Sequence, residues 1–369
     1  MKKDKKARVI AFYLPQFHQI KENDEWWGTG FTEWTNVGNA KPLFKGHNQP
    51  RVPTTLGYYD LMNPKSRIKQ AELAKESGIE GFLYWHYWFG KGKRILEKPF
   101  NEVLKSGEPD LPFCLGWANH SWNDTSWSSN AKKSGNKYLL EQTYPGKEDY
   151  VLHFNTMLPA FKDPRYIKVN NKPLFVVYDP VAIPSGKQLI DVWQKLAKDN
   201  GLEGIHFVGR DNSGIEHQNI LNMGFDAVNT NGQWSAESKI KGKYLRILRS
   251  KIRDKTPGLL LDSYNYKDII NCFYTENDRK SNFYPMVIPQ WDRSPRAGKK
   301  AVIYKGSSPQ LFKQHLNEAI DIVSAKPDEE QIIFLKSWNE WGEGNYVEPD
   351  LLNGHKYIDT LKDSLYKGG

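Results

Sequence analysis

Ile332-Ile333-Phe334-Leu335-Lys336-Ser337 runs straight into Trp338-Asn339-Glu340-Trp341-Gly342-Glu343-Gly344-Asn345-Tyr346-Val347-Glu348-Pro349. The first part, Ile332–Ser337, opens on a short apolar, partly β-branched run, the pattern of a buried strand. The second part crowds carboxylates, amides and rings at the point where that strand ends. Seven more runs of the first kind precede it: Arg8–Leu14, Gly81–Trp88, Pro112–Trp117, Pro173–Tyr178, Ile205–Gly209, Asp226–Asn229 and Pro285–Gln290. Helical periodicity fills the intervals, over Pro64–Ser77, Ile95–Ser106, Lys147–Phe161, Lys187–Asn200, Glu216–Met223, Ile240–Arg253, Pro309–Ala325 and His355–Tyr366. Eight strands alternating with eight helices predict a closed (β/α)8 barrel of the α/β class, read as a single domain over residues 1–369. An open doubly wound sheet shares the alternation. It would want a Gly-rich turn after the first strand, and Pro15-Gln16-Phe17-His18 stands there instead.

Barrel enzymes build their sites from the loops at the C-terminal ends of the strands. Polar and aromatic side chains gather at those positions here. The candidates for substrate contact are Tyr13, Gln16 and His18 after the first strand, Trp85, His86 and Tyr87 on the second, and Trp117, Asn119, His120 and Trp122 (leading on to Asp124) after the third. Tyr178, then Trp291 and Asp292, then Trp338, Asn339, Trp341 and Glu348 continue the series. The first loop, Lys21–Pro53, is long enough to suggest function and adds Trp26, Trp27, Glu33 and Trp34. Strand alternation sends only half of Tyr84-Trp85-His86-Tyr87-Trp88-Phe89 inward, so part of that set is packing. His86 reads equally as a hydroxyl ligand, a proton carrier or a structural histidine.

Glu340 and Glu343 are the candidate catalytic pair. Three residues apart, they project to one side of any helical turn. Two crowded carboxylates do not ionise independently, and one pKa is expected to rise, which suits the acid and base of glycosidic cleavage. Solvated loop acids are the competing reading. The rings and amides around them and the apolar strand before them favour a site.

Composition narrows the chemistry further. Thirteen Trp, nineteen Tyr and seventeen Phe exceed what one core needs, and many stand beside Asn, Asp, Glu and His. Rings next to hydrogen-bonding groups suit sugars, which stack a C–H face and hydrogen-bond their hydroxyls. The net charge of +9 is spread along the chain except in Lys239–Lys255, an amphipathic helix with a basic face that offers weak contact to an anionic surface. No nucleic-acid motif accompanies it. The two cysteines, Cys114 and Cys272, read as buried thiols and cannot make a metal cluster. No phosphate loop, nucleophile elbow or His-Glu-x-x-His occurs, so no metal and no cofactor are expected. The basic start lacks the apolar core of a signal peptide, and no apolar stretch reaches the ~18–20 residues of a membrane span. The chain as it stands is expected to be cytoplasmic, or periplasmic or extracellular if a leader precedes it.

With these residues in view, the chain resembles the WbsX-type proteins, known as polysaccharide-biosynthesis glycosyltransferases and related to glycoside hydrolase family 99. The resemblance runs through Ala11-Phe12-Tyr13-Leu14-Pro15-Gln16-Phe17-His18, Glu22-Asn23-Asp24-Glu25-Trp26-Trp27-Gly28, Gly30-Phe31-Thr32-Glu33-Trp34-Thr35-Asn36-Val37 and Lys41-Pro42-Leu43-Phe44. It continues in Tyr84 to Phe89, Phe113 to Asn119, Phe161-Lys162-Asp163-Pro164-Arg165-Tyr166, Lys172-Pro173-Leu174-Phe175 and Asn339-Glu340-Trp341. Family 99 enzymes are (β/α)8 barrels that cleave within α-mannan-like chains with retention, and their Asn-Glu-Trp-x-Glu-Gly signature resembles Asn339 to Gly344. The resemblance implies that Glu340 draws a proton from the sugar 2-hydroxyl, whose oxygen attacks its own anomeric carbon. Glu343 would protonate the leaving oxygen and then activate water. That route implies an α-manno- or α-rhamno-configured sugar. One departure stands out, since members of the family often carry Glu where this chain has His120.

The leading expectation is therefore a glycoside hydrolase or transglycosidase acting on a bacterial oligo- or polysaccharide. A glycosyltransferase of lipopolysaccharide or capsule assembly is the second reading, and the absence of any Asp-x-Asp metal clamp counts against it. A non-catalytic glycan-binding barrel is the third, and it gives the paired Glu340 and Glu343 no purpose.

Overall fold

The computed structural model describes residues 5–123, 138–256 and 261–366. Nine parallel segments fill eight strand positions: β1 (Arg8–Tyr13), β2 (Gly81–Trp88), β3 (Phe113–Trp117), β4 (Lys172–Val177), β5 (His206–Asp211), β6 (Ala227–Thr230), β7 (Phe283–Tyr284), β8 (Met286–Val287) and β9 (Ile332–Leu335). Each strand pairs with its sequence neighbours, from Ile10 beside Gly81 to Ala227 beside Val208. Ala11 beside Leu335 joins the last strand to the first. The seventh position is one strand divided at Pro285. β7 pairs with β6 before the proline, and β8 pairs with β9 after it. Proline has no N–H for the ladder, but its carbonyl still accepts from the Phe334 N–H at 3.0 Å, so the ring closes through it. The barrel predicted from the alternation is the observed architecture.

The covering helices follow from their end signals. Pro64–Ser77 starts at Asn63, whose side chain accepts from the Lys65 N–H, and stops at Gly78 in the left-handed conformation. Lys147–Phe161 has the predicted bounds. The basic segment departs from expectation. It forms two helices, Gly232–Lys241 and Lys243–Lys255, because Gly242 at φ +79° ends the first turn of chain and redirects the second. The long first loop also carries structure of its own, the short helices Lys21–Trp27 and Glu33–Asn39. Cys114 is buried as expected, whereas Cys272 is only half-buried.

Strand parity decides what reaches the barrel mouth. In β2, Trp85 and Tyr87 point inward, and Gly116 on the neighbouring β3 clears the space. A Cβ there would stand 2.8 Å from the Trp85 ring. His86 points outward, 2.8 Å from His153 on Lys147–Phe161, whose ring lies flat on Trp88. Among the described residues no helix is long and apolar enough to cross a membrane.

Candidate active site

A cavity of about 250 Å³ opens at the C-terminal mouth of the barrel, and Glu340 and Glu343 line it. Their backbone is held by both ends of one excursion. The Ser337 N–H donates to the Asn345 carbonyl at 2.6 Å, and the Val347 N–H returns to the Trp338 carbonyl at 3.0 Å. Asn339 fastens the loop to the first strand, accepting from the Leu14 N–H at 2.8 Å and donating to its carbonyl at 3.1 Å. Within the excursion Trp341–Glu343 makes a single 3-10 turn, so the two carboxylates emerge on one side.

Arg296 organises the acids. One of its terminal nitrogens lies 3.0 Å from a Glu340 oxygen and 3.2 Å from a Glu343 oxygen, while its Nε donates to Glu33 at 2.8 Å. Gly342 is required by this arrangement, because a Cβ at that position would meet the Glu33 carboxylate at 1.5 Å. Ser337 donates to the other Glu340 oxygen at 3.1 Å, and Arg293 lies 3.1 Å from Glu343. Burial raises the pKa of Glu33 in spite of Arg296. Burial would raise Glu343 as well, but Arg293, Arg296, Lys336 and Arg210 together hold it down, to about 2. The crowding expected to raise one carboxylate of the pair is thus outweighed at Glu343 by the cations around it.

The remaining wall is aromatic and cationic. Phe12, Trp85, Tyr87 and Tyr178 supply ring faces, and burial lowers the His120 pKa to about 4. Arg210, at the end of β5, lies over Tyr178 with its guanidinium 4.7 Å from the ring centre. Lys336 directly follows β9, lies 4.3 Å over the Trp291 ring and donates to Gln233 at 2.8 Å. Burial brings the Lys336 pKa down to about 8. Among the described residues, no three His, Cys, Asp or Glu side chains converge as a metal would require.

Of the predicted site residues, the cavity gathers Glu340, Glu343, Trp85, Tyr87, His120 and Tyr178. Trp291 lines a second cleft, which shares Tyr178, Arg293, Lys336 and Glu343 with the first. The others stand behind the mouth. Tyr13 donates to Gln70, Trp34 to the Tyr59 carbonyl, and Trp117 to the Trp88 carbonyl. Gln16 and His18 are buried in the first loop, and Asn119 ties down Asp179. Trp26 and Trp27 form a ring cluster with the buried Trp122, and Trp338 packs against Phe82 in the core. Trp341 stacks on Tyr346 at 3.6 Å and donates to Glu348. Asp292 accepts from Gln49 and contacts His47, and against its burial His47, Arg51 and Ser294 keep it well below the carboxylate range. Asp124 lies outside the described residues.

Sequence reasoning assigned none of the cations to the site. Arg210 and Lys336 were within its reach, since each continues the inward parity of an apolar strand, after Val208 and Phe334. Arg293 and Arg296 follow Trp291-Asp292, and only the fold brings them to the glutamates.

Residues 9–361 match the family described as glycosyltransferase WbsX. Proteins WxcX from two strains of Xanthomonas campestris pv. campestris, both described as uncharacterised, are 34% identical over 362 residues, 97% of this chain. The chain spans about half the length of these curated relatives, 50% in each case. Among solved structures, a glycoside hydrolase-like protein superposes with a TM-score of 0.64 at 14% identity, over 100% of this chain and 96% of that one. The GH99 endo-α-mannosidase from Bacteroides thetaiotaomicron superposes with a TM-score of 0.57 at 16% identity, over 96% of this chain and 95% of its own. At such identities the likeness is one of fold. The sequence match carries further than fold, since it covers the strands, the aromatic first loop and the Glu340–Glu343 turn alike: the chain belongs to the WbsX glycosyltransferase family.

Proposed function

We propose that this protein cleaves or transfers an α-manno- or α-rhamno-configured glycosidic linkage with retention, using Glu340 and Glu343. The observation that carries the reading is the pair itself, two carboxylates on one Arg296 nitrogen, facing a ring-lined cavity at the barrel mouth. The fold shared with the GH99 endo-α-mannosidase supports it. In this route Glu340 takes the proton of the sugar 2-hydroxyl while O2 attacks the anomeric carbon. The bond to the leaving oxygen breaks as Glu343 donates its proton there. Glu343 then takes a proton from water, the oxygen of which opens the three-membered ring, and Glu340 returns a proton to O2. Trp85, Tyr87 and Tyr178 would stack the sugar, as ring faces do at carbohydrate sites. The cations around Glu343 favour its ionised form, so a substrate that offsets them would load its acid proton.

The family description favours a second reading, synthesis from an activated sugar. One experiment separates the two. α-Manno- and α-rhamno-configured oligosaccharides are incubated with the wild type, Glu340→Gln and Glu343→Gln in the absence of nucleotide sugars, and reducing ends are measured. Cleavage is expected, falling by ~10²–10⁴ in each variant, the usual worth of a positioned acid or base. Turnover that appears only when a nucleotide sugar is added would replace the hydrolase reading with the transferase.

A further inference from the structure

The charge around the cavity is not balanced by the residues that line it. Arg210, Arg293, Arg296 and Lys336 face it, against the two carboxylates of Glu340 and Glu343, and Glu33 meets Arg296 from behind. Arg293 and Arg296 are engaged by those acids. Arg210 and Lys336 are not. Among the described residues neither has a carboxylate within ion-pair distance, and Arg210 makes no hydrogen bond, although it is only 3% exposed. Its guanidinium rests on rings alone, those of Tyr178, Phe12 and Trp85. A buried cation without a counter-anion is costly, and ring faces recover only part of its lost hydration. A neutral sugar would be served by amides and hydroxyls at such a position. A planar fork of N–H donors is suited to a carboxylate or a phosphate.

The excess of cations is local to this cavity. The second cleft, which begins at Tyr178, Arg293, Lys336 and Glu343, runs on to Trp234, Arg246 and Lys251 beside the helix Lys243–Lys255. There Arg246 pairs with Glu237 at 2.8 Å and lies 3.2 Å over the Trp234 ring, and Asp262 lines the same cleft, so the unpaired cations are those of the cavity, Arg210 and Lys336.

We propose that the sugar seated in this cavity is anionic, with its carboxylate or phosphate bound by Arg210 and flanked by Lys336. The proposal rests on the carbohydrate reading given above and names the substrate class of that same site. It also accounts for the loading of Glu343. An anion placed between the cations weakens the field that keeps this glutamate ionised, so the acidic substrate makes its own general acid.

Calorimetric titration of the whole protein with methyl α-mannoside, methyl α-mannosiduronate and mannose 6-phosphate tests this. At least one anionic probe should bind about 10- to 100-fold more tightly than the neutral glycoside, the range of a charge-assisted hydrogen-bonded pair. Whichever anion is preferred identifies carboxylate or phosphate as the source. In Arg210→Met the preference should vanish while the melting temperature holds or rises, since an uncompensated buried charge has been removed. Equal binding of the neutral and anionic probes would overturn the proposal and leave the glycosidase reading standing. A preference that survives in Arg210→Met would overturn the assignment to Arg210. A lowered melting temperature with unchanged selectivity would make Arg210 a packing residue. Failure of all three probes to bind would sink the mannose-configured reading and the anion proposal together.

Discussion

Glu343 and Glu348 lie five residues apart in one loop, the first half-buried at the cavity and the second fully buried, and they titrate in opposite directions. Glu343 looks into the cavity, among Arg293, Arg296, Lys336 and Arg210, and its pKa is held at about 2. Glu348 looks the other way, into the packing behind the loop. There burial raises it to about 7, although Trp341, Gln70 and Tyr59 all donate to it, at 2.7, 2.7 and 2.9 Å. Neutral donors moderate the cost of a buried charge, and full cations overcome it. Residue type and position in a motif therefore do not assign the acid. The carboxylate with the raised pKa is the one packed behind the loop, and the one facing the cavity is held ionised by the cations around it.

The contrast depends first on Arg296. Replacing it with Met leaves Glu33 buried without its cation and removes the bridge between Glu340 and Glu343. Breaking a buried pair typically costs ~3–5 kcal/mol, so a destabilisation of that order is expected in denaturant unfolding. The Glu343 carboxyl, followed by carbon-detected NMR, should move up towards the behaviour of Glu348. An unmoved Glu343 would mean that Arg293, Arg210 and Lys336 suffice. Gly342→Ala comes next. Its Cβ would sit 1.5 Å from the Glu33 oxygen and 2.9 Å from the Arg296 Nε, so the Glu33–Arg296 pair must shift. Overpacking of this kind costs about 1–3 kcal/mol, and on the proposed function turnover should fall with it, because Arg296 bridges the Glu340 and Glu343 carboxylates. A variant with wild-type stability and turnover would show that Glu33 has room to retreat.

Much of this arrangement is readable before folding, for definite reasons. The apolar runs mark the strands because a parallel barrel buries both faces of each one. The break in the seventh strand was less legible. A reading that opens the strand at Pro285 misses Phe283 and Tyr284, because proline ends one ladder and its carbonyl joins the next. Glu340 and Glu343 are visible as a motif, since one short turn of chain carries both. Parity separates Trp85 and Tyr87 from His86 once the strand's inward face is known. What the sequence hides is Arg296 between three glutamates from two distant loops, because no spacing encodes a contact made across 263 residues. Asp292 shows the reverse error. Its position after a barrel strand reads as functional, while His47 and Gln49 of the first loop turn it into a brace.

The smallest expected effect isolates Glu348. Its folded pKa of about 7 lies above the ordinary 4.5, so the folded protein holds this proton more tightly than the unfolded chain does. The stability it contributes is fully present below pH 4.5 and is lost as the pH rises through about 7. Glu343 has the opposite sign. With a folded value of about 2, its contribution is present above pH 4.5 and is lost as the pH falls below that. Between pH 4.5 and 7, then, only Glu348 of the pair should tilt the stability curve, by on the order of 1 kcal/mol per pH unit. Glu348→Gln stays neutral throughout and should flatten that part of the curve, while the acid limb set by Glu343 remains. Melting temperatures of both proteins across pH 3 to 9 make the comparison directly. Parallel curves would show that Glu348 stays ionised on its three donors, and that hydrogen bonds from neutral groups can hold a buried carboxylate charged without any cation.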